Sequence, residues 1–325
     1  MMKKNDRIVI PATLIPSFRT QLAIQNKIEK NLIFRTWGGL GDQICAEPTL
    51  RYALSAFKDC KVSLASEQPE LFQHLNFHEV FDLKKVTPNY DNYLSFETIT
   101  PPNDSNLVWQ FFSHMLTNCV DFPSMCALRL QLPIADKEVK LVDVGCKTDL
   151  DFSKSVIIHA GKHWASKTFP KHWWDAVIAS IINDGFIPVL IGANTDDNRG
   201  TVDVDTRGCI DLRNKFSIME TISILKQSKV LLTNDSSPMH MAVDSDCWIG
   251  FIATCKHPDY IMHWRKGQFG HRMVNHGKGG IWDIISNCPN AEQEVTAEYV
   301  DEKTLESWLP NPVDFSKWAT DKLKE

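Results

Sequence analysis

The run Phe34-Arg35-Thr36-Trp37-Gly38-Gly39-Leu40-Gly41-Asp42-Gln43 constrains this chain most. An apolar stretch, Leu32 to Phe34, leads in, and a long mixed segment of helical character, Ile44 to Phe57, leads out. That order predicts strand, glycine loop, helix. Gly38, Gly39 and Gly41 let the backbone turn tightly and keep side chains away from a bound group. Asp42 then stands at the mouth of the loop, near the positive end of the following helix, where the carboxylate is favoured. On this loop alone Asp42 reads equally as a helix cap and as a general base beside an open cleft. Pro48 predicts that the helix starts late, with the proline in its first turn, or bends there.

The second half alternates strand and helix with regular punctuation. Ser155 to His159, Ile187 to Ile191, Gly208 to Leu212, Val230 to Asn234 and Trp248 to Ala253 read as strands. Pro170 to Asn183, with Gly185 beyond its end, reads as a helix, as does Ile218 to Gln227 behind a Ser217 cap. Pro238 to Val243 begins another. This alternation argues for a parallel sheet covered on both faces, with ligands at the carboxyl ends of its strands. In the first half, Arg7 to Ile10, Lys61 to Ala65 and Val80 to Leu83 are expected strands. Ser17 to Lys30, Trp109 to Asn118 and Ser124 to Gln131 are expected helices, and Pro88 to Ser105 an expected loop. The polar stretch Cys146 to Lys154 marks the expected boundary between domains 1–146 and 147–313, and a chain of 325 residues suits two domains.

Two stretches at strand ends can carry chemistry. In His159-Ala160-Gly161-Lys162-His163-Trp164-Ala165-Ser166-Lys167-Thr168-Phe169-Pro170, a loop with Gly161, Lys162 and Lys167 follows a strand, which suits a diphosphate. Solvated surface lysines are the plainer reading. In Thr233-Asn234-Asp235-Ser236-Ser237-Pro238-Met239-His240, a buried strand runs into a helix that Ser236 or Ser237 would cap, with amides able to hold an anion. Asp235 suits a sugar hydroxyl or the loop itself, and His240 a buried, hydrogen-bonded place on an inner helix face. Asp203-Val204-Asp205 and Asp244-Ser245-Asp246 match the Asp-x-Asp pattern of metal-dependent transferases. With 40 acidic residues such matches arise by chance, no Glu or His partner lies at ligand spacing, and no catalytic metal is expected.

Composition narrows the function classes. Hydrophobic residues at 43% and charged residues at 23% are ordinary for a globular protein. A net charge of -5 and a pI near 6.1 disfavour a dedicated nucleic-acid binder, so contact with DNA would need a local patch. The segment His263-Trp264-Arg265-Lys266-Gly267-Gln268-Phe269-Gly270-His271-Arg272 is the evident one, and a plain solvated face is its other reading. No apolar run reaches a membrane span, and Met1 to Asp6 lacks the apolar core of a signal peptide. Nine cysteines without a Cys-x-x-Cys pair argue for free thiols in a reducing cytoplasm.

Together these stretches resemble glycosyltransferase family 9, the ADP-heptose:lipopolysaccharide heptosyltransferases. The carriers are Gly41-Asp42 with Glu47-Pro48-Thr49-Leu50-Arg51, then His159-Ala160-Gly161 with Lys167 before Phe169-Pro170, then Asn234-Asp235-Ser236-Ser237-Pro238-Met239-His240, in order over residues 31 to 254. The resemblance implies a GT-B architecture: two Rossmann-like domains facing across a cleft, the first for acceptor and the second for nucleotide sugar. The last helix, about 314–325, is expected to pack back on the first domain. The implied chemistry is inverting and metal-independent. Asp42 matches the family's base, and Lys167 its phosphate-binding lysine. Asp235, Ser236 and Ser237 match the donor loop, with Gly161, Lys162 and His240 beside them, and Asp196 falls where an acidic ribose ligand sits. Ser237 replaces the loop glycine, and Gln43 an apolar residue.

The expected co-substrate is a nucleotide-diphosphate sugar, with no other cofactor. The expected acceptor is a saccharide such as lipopolysaccharide core. Alternatives are a hydroxymethylated cytosine in DNA, glycosylated by a phage-type enzyme, and a non-catalytic nucleotide-sugar-binding protein. The implied location is the cytoplasm, peripheral at the inner membrane for a lipid-linked acceptor, or the host cytoplasm if phage-encoded.

Overall fold

The computed structural model describes residues 31–97, 138–194, 200–265, 268–269, 272–282 and 300–325. The expected strand at 7–10, the helices at 17–30, 109–118 and 124–131, and Asp196 lie outside the described residues. The chain divides into two compact units, Met1–Leu141 and Val142–Glu325. The division falls five residues before the expected boundary.

The first unit opens with β1 (Asn31–Thr36) and α1 (Leu40–Ala56), followed by β2 (Lys61–Ser66), β3 (Val80–Asp82) and β4 (Leu94–Glu97). All pair in parallel, in the order β3-β2-β1-β4. The late start allowed for α1 is not taken, and one loop expectation changes. α1 begins at Leu40 and runs through Pro48 to Ala56. Proline removes one internal hydrogen bond, and burial of Ile44, Cys45, Ala46 and Leu50 around it outweighs that loss. The stretch expected as a loop contains β4, whose Leu94-Ser95-Phe96-Glu97 alternates as strands do, in register with Leu32 to Arg35. The buried core includes Ile33, Phe34, Ile44, Leu50, Leu64 and Phe72.

The second unit runs β5 (Ser155–His159), α2 (Lys171–Asn183), β6 (Ile187–Leu190), β7 (Ile210–Asp211), α3 (Ile218–Gln227), β8 (Val230–Asn234), α4 (Ser237–Met241), β9 (Trp248–Ile252) and α5 (Pro258–Ile261). Then follow a small hairpin, β10 (Trp264–Arg265) with β11 (Gln268–Phe269), the edge strand β12 (Met273–Asn275), α6 (Glu302–Trp308) and α7 (Pro312–Lys324). The main sheet is parallel throughout, in the order β12-β9-β8-β5-β6-β7. Counted within the unit this is the 3-2-1-4-5-6 order of a dinucleotide-binding sheet, whose direction of progression reverses between β5 and β8.

Local chemistry explains the elements. Ser217 and Glu220 form a reciprocal cap that starts α3: the Ser217 hydroxyl accepts from Glu220 N at 3.3 Å, and Glu220 Oε2 accepts from Ser217 N at 2.8 Å. Gly185, at φ +82°, ends the turn after α2. α2 buries Trp173, Trp174, Val177, Ile178 and Ile181. The terminal helix was expected to pack back on the first domain. Within the second unit, α7 places Phe315, Ala319 and Leu323 of its apolar face in the core shared with α2. Phe315 lies 5.6 Å from Trp173 between ring centres, and Ser316 donates to Ser180 at 2.7 Å. Residues 315, 319 and 323 recur every fourth position, so one stripe of α7 suffices for that contact. Among the described residues no helix is long and apolar enough to cross a membrane.

Candidate functional site

In the first unit the loop between β1 and α1 stands at the carboxyl end of β1, where the strand progression turns from β2 to β4. Gly38 takes φ +95°, a left-handed conformation that suits glycine. Gly39 caps α1, and its N–H donates to Asp42 Oδ2 at 3.1 Å. A Cβ on Gly39 would come within 2.9 Å of that oxygen, so the glycine makes room for the carboxylate. Asp42 is therefore a capping residue in fact. It remains partly exposed, and a carboxylate holds more acceptor sites than this bond uses. Gly41 lies within the first turn of α1. Gln43, a departure from the family pattern, is buried; its Nε2 donates to Gly38 O at 3.2 Å, and its Oε1 accepts from Ser66 at 2.8 Å. It ties the glycine loop to the end of β2, which an apolar side chain would not do.

In the second unit the loops after β5, β8 and β9 meet at the carboxyl edge of the sheet. Asn234 is the buried fastener: its Nδ2 donates to Gly161 O at 3.0 Å and to Lys167 O at 2.7 Å. Thr254, just past β9, donates its hydroxyl to Ser166 O. His159 Nδ1 lies 3.0 Å from Ser236 Oγ, which also sits 2.9 Å from Thr233 Oγ1. Ser236 occupies the cap position of α4, yet its side chain makes no cap bond, because His159 and Thr233 hold it. α4 is only five residues long, with Ser237 and Pro238 in its first turn.

Lys167 Nζ lies 2.6 Å from Asp235 Oδ2, with the side chains 12% and 4% exposed. Burial works to raise the Asp235 pKa, but the charges of Lys167 and Lys256 and the bond from Lys167 outweigh it and hold the group below the usual carboxylate value. A buried ion pair adds little net stability, since desolvation offsets the attraction. A site at a sheet's switch point gives such a pair a different use. Lys167 Nζ also stands 5.6 Å from the centre of the Trp164 ring.

Other expected residues fall differently. Gly161 serves packing: a Cβ there would meet His159 Cε1 at 2.6 Å and Asn234 Oδ1 at 2.9 Å. Several amides of its loop are used internally, Lys162 N by Gly200 O at 2.9 Å and His163 N by Thr168 Oγ1 at 3.0 Å. His240 is buried, and its Nδ1 lies 2.6 Å from His263 Nε2. The segment read as a basic patch turns inward in its described part: His263 and Arg265 are buried, and Arg265 donates to the carbonyls of Ala242 and Ser245. Arg272 pairs with Asp246 at 3.5 Å. In the Asp-x-Asp matches, Asp205 is bound by Arg207 and Asp244 by Lys226 at 2.7 Å. Lys256 was missed; a single lysine in a loop without a motif gives no sequence signal.

Burial pushes the His159 pKa down to about 4 against a weaker pull from Asn234. The imidazole is neutral in the fold near neutral pH and gains a proton on unfolding below about 6.5. Because the folded value is depressed, its contribution is present above 6.5 and is lost as pH falls toward 4. Stability is therefore expected to drop by up to about 3 kcal/mol over that window through this group. Urea unfolding at pH 7.0 and 5.0 checks it, and His159→Asn should reduce the difference by this group's share, with the buried His263 and His276 supplying the rest.

Residues 93–245 match the family model of glycosyltransferase family 9 (heptosyltransferase). No curated protein matches the chain. Among solved structures, TibC of enterotoxigenic E. coli H10407, described as an iron-containing dodecameric glycosyltransferase, is 16% identical, with TM-score 0.64 over 92% of this chain and 77% of that one. The same TibC in complex with ADP-D-β-D-heptose gives TM-score 0.65. A family 9 glycosyltransferase of Veillonella parvula is 13% identical, with TM-score 0.54 over 91% and 98% of the two chains. ADP-heptose lipopolysaccharide heptosyltransferase II of E. coli is 11% identical, with TM-score 0.52 over 90% and 98%. At these identities the likeness to the solved structures shows a shared fold, that of GT-B heptosyltransferases built from two Rossmann-like units. With the family match over residues 93–245 laid over that fold, the chain resembles the family 9 glycosyltransferases, the heptosyltransferases.

Proposed function

We propose that the chain moves a sugar from a nucleotide-diphosphate sugar to an acceptor hydroxyl, with inversion and without a metal. One observation carries the reading: a buried Lys167–Asp235 pair at the carboxyl edge of a dinucleotide-binding sheet, on loops fastened together by Asn234. Lys167 takes the diphosphate, Asp235 the sugar hydroxyls, and Ser236 and Ser237 line the loop beside them. Asp42 removes the acceptor proton, and the oxygen attacks the anomeric carbon on the face opposite the nucleotide. The leaving diphosphate is stabilised by lysine charge already in place. Metal independence is supported by the cations that bind Asp205 and Asp244.

TibC was solved with ADP-D-β-D-heptose, so ADP-sugars are the first donors to test. The acceptor we assign is a saccharide; within the described part of the segment that DNA would need, Arg265 and His263 are buried. The described cysteines, including Cys45, Cys247 and Cys255, are free thiols, which suits a reducing cytoplasm. A thermal-shift panel of nucleotide-diphosphate sugars tests the reading. A true donor at 100 times its Kd stabilises the fold by about 2.7 kcal/mol and raises Tm by a few degrees. A panel in which no nucleotide sugar moves Tm would overturn it.

A further inference from the structure

Lys256 follows β9 on a loop that no motif marks. Its place is fixed by the strands beneath it. β8 and β9 pair to their last residues, Asn234 opposite Ile252, and Asp235 N donates to Ile252 O at 3.2 Å. Two residues before Lys256, Thr254 bonds to Ser166, the residue before Lys167. The loops that carry the two lysines are thus joined directly, and Asp235 belongs to the strand end beside both. Lys256 Nζ stands 5.6 Å from the ring centre of the buried Tyr260.

Charge then sets a requirement. Lys167 and Asp235 form a pair of zero net charge. A diphosphate carries a negative charge on each phosphate, and a neutral pair offers it no net attraction. A second cation on the same edge changes the balance to net positive. Asp235 feels that second cation, since its carboxyl is influenced by Lys256 as well as by Lys167.

We propose that Lys256 is a further cation of the donor site and binds the diphosphate together with Lys167. This rests on the donor reading above. With Lys256 beside the phosphates, Asp235 is available to sugar hydroxyls. Lys256 binds equally in ground and transition states unless charge builds on the leaving phosphate, so its loss shows first in affinity.

The test is calorimetric titration of the full chain with ADP and, separately, with inorganic pyrophosphate, for wild type, Lys256→Met and Lys256→Arg. Expected is a rise in Kd of about ten-fold or more for both ligands in Lys256→Met, and a change within about two-fold in Lys256→Arg. Melting of each variant close to wild type keeps the comparison fair. Equal binding by Lys256→Met and wild type would overturn the assignment and leave the donor reading standing. Loss of ADP affinity with pyrophosphate affinity unchanged would overturn it too, because the contact would then not be to phosphate. Wild type binding neither ligand would remove the donor reading and this inference together.

Discussion

Asp42→Asn lowers the transfer rate by about 10²- to 10⁴-fold, the usual share of a general base. Donor affinity stays within about two-fold of wild type, because the residues assigned to the donor belong to the second unit. The amide keeps the shape of the carboxylate, and its oxygen still accepts the Gly39 N–H that caps α1. Stability therefore changes by well under the roughly 1 kcal/mol of a lost cap. This combination separates the two uses of Asp42. A residue that only caps the helix would show the reverse, a small loss of stability with turnover intact. Steady-state rates with saturating donor, alongside the urea midpoint, decide between them.

Glu47→Ala is expected to destabilise the first unit by about 3–5 kcal/mol, the cost of removing one member of a buried charge network. The Glu47 carboxylate is fully buried. It accepts from Arg51 Nε at 2.8 Å and from Lys140 N at 2.9 Å, and His74 Nε2 lies 3.2 Å away. Arg51 also donates to Glu138 O at 2.6 Å, so one acid holds the α1 face to residues 138–140 near the end of the unit. Alanine removes at one stroke the acceptor shared by Arg51 and Lys140 N and the carboxylate beside His74. Glu47→Gln keeps the volume and part of the bonding and should cost less. Urea unfolding of both variants checks the order; a Glu47→Ala change below about 1 kcal/mol would show that the network is not structural.

Much of the second unit was legible because its punctuation is local. Ser217 and Glu220, Pro170 and Gly185, and the short buried strand runs each announce an element without reference to the rest of the chain. β4 was not legible, since Leu94 and Phe96 sit among polar neighbours and gain strand character only by pairing with β1. Pro48 left open where α1 begins, and burial of its neighbours lets the helix start at Leu40 and run through the proline. The fate of α7 was equally non-local: its apolar stripe fits any partner surface, and only packing on Trp173 shows which one it uses.

The site divides along the same line. Residue types at strand ends pointed to Lys167, Asp235 and Ser236, and the fold brings these together. Their fasteners were hidden: Asn234 and Gln43 act through bonds to backbone across long sequence separations. Gly161 stands in the loop read as a phosphate cradle, and its packing against His159 and Asn234 was hidden from the sequence. Lys256 needed the register of β8 and β9 to become visible.

The most direct measurement is calorimetric titration of wild type and Lys167→Met with the nucleotide sugar that gives the largest thermal shift. Loss of the lysine charge should raise Kd by about ten-fold or more, the effect of deleting one partner of a buried charge contact. The same affinity in both proteins would contradict the claim that the edge formed by β5, β8 and β9 holds the donor.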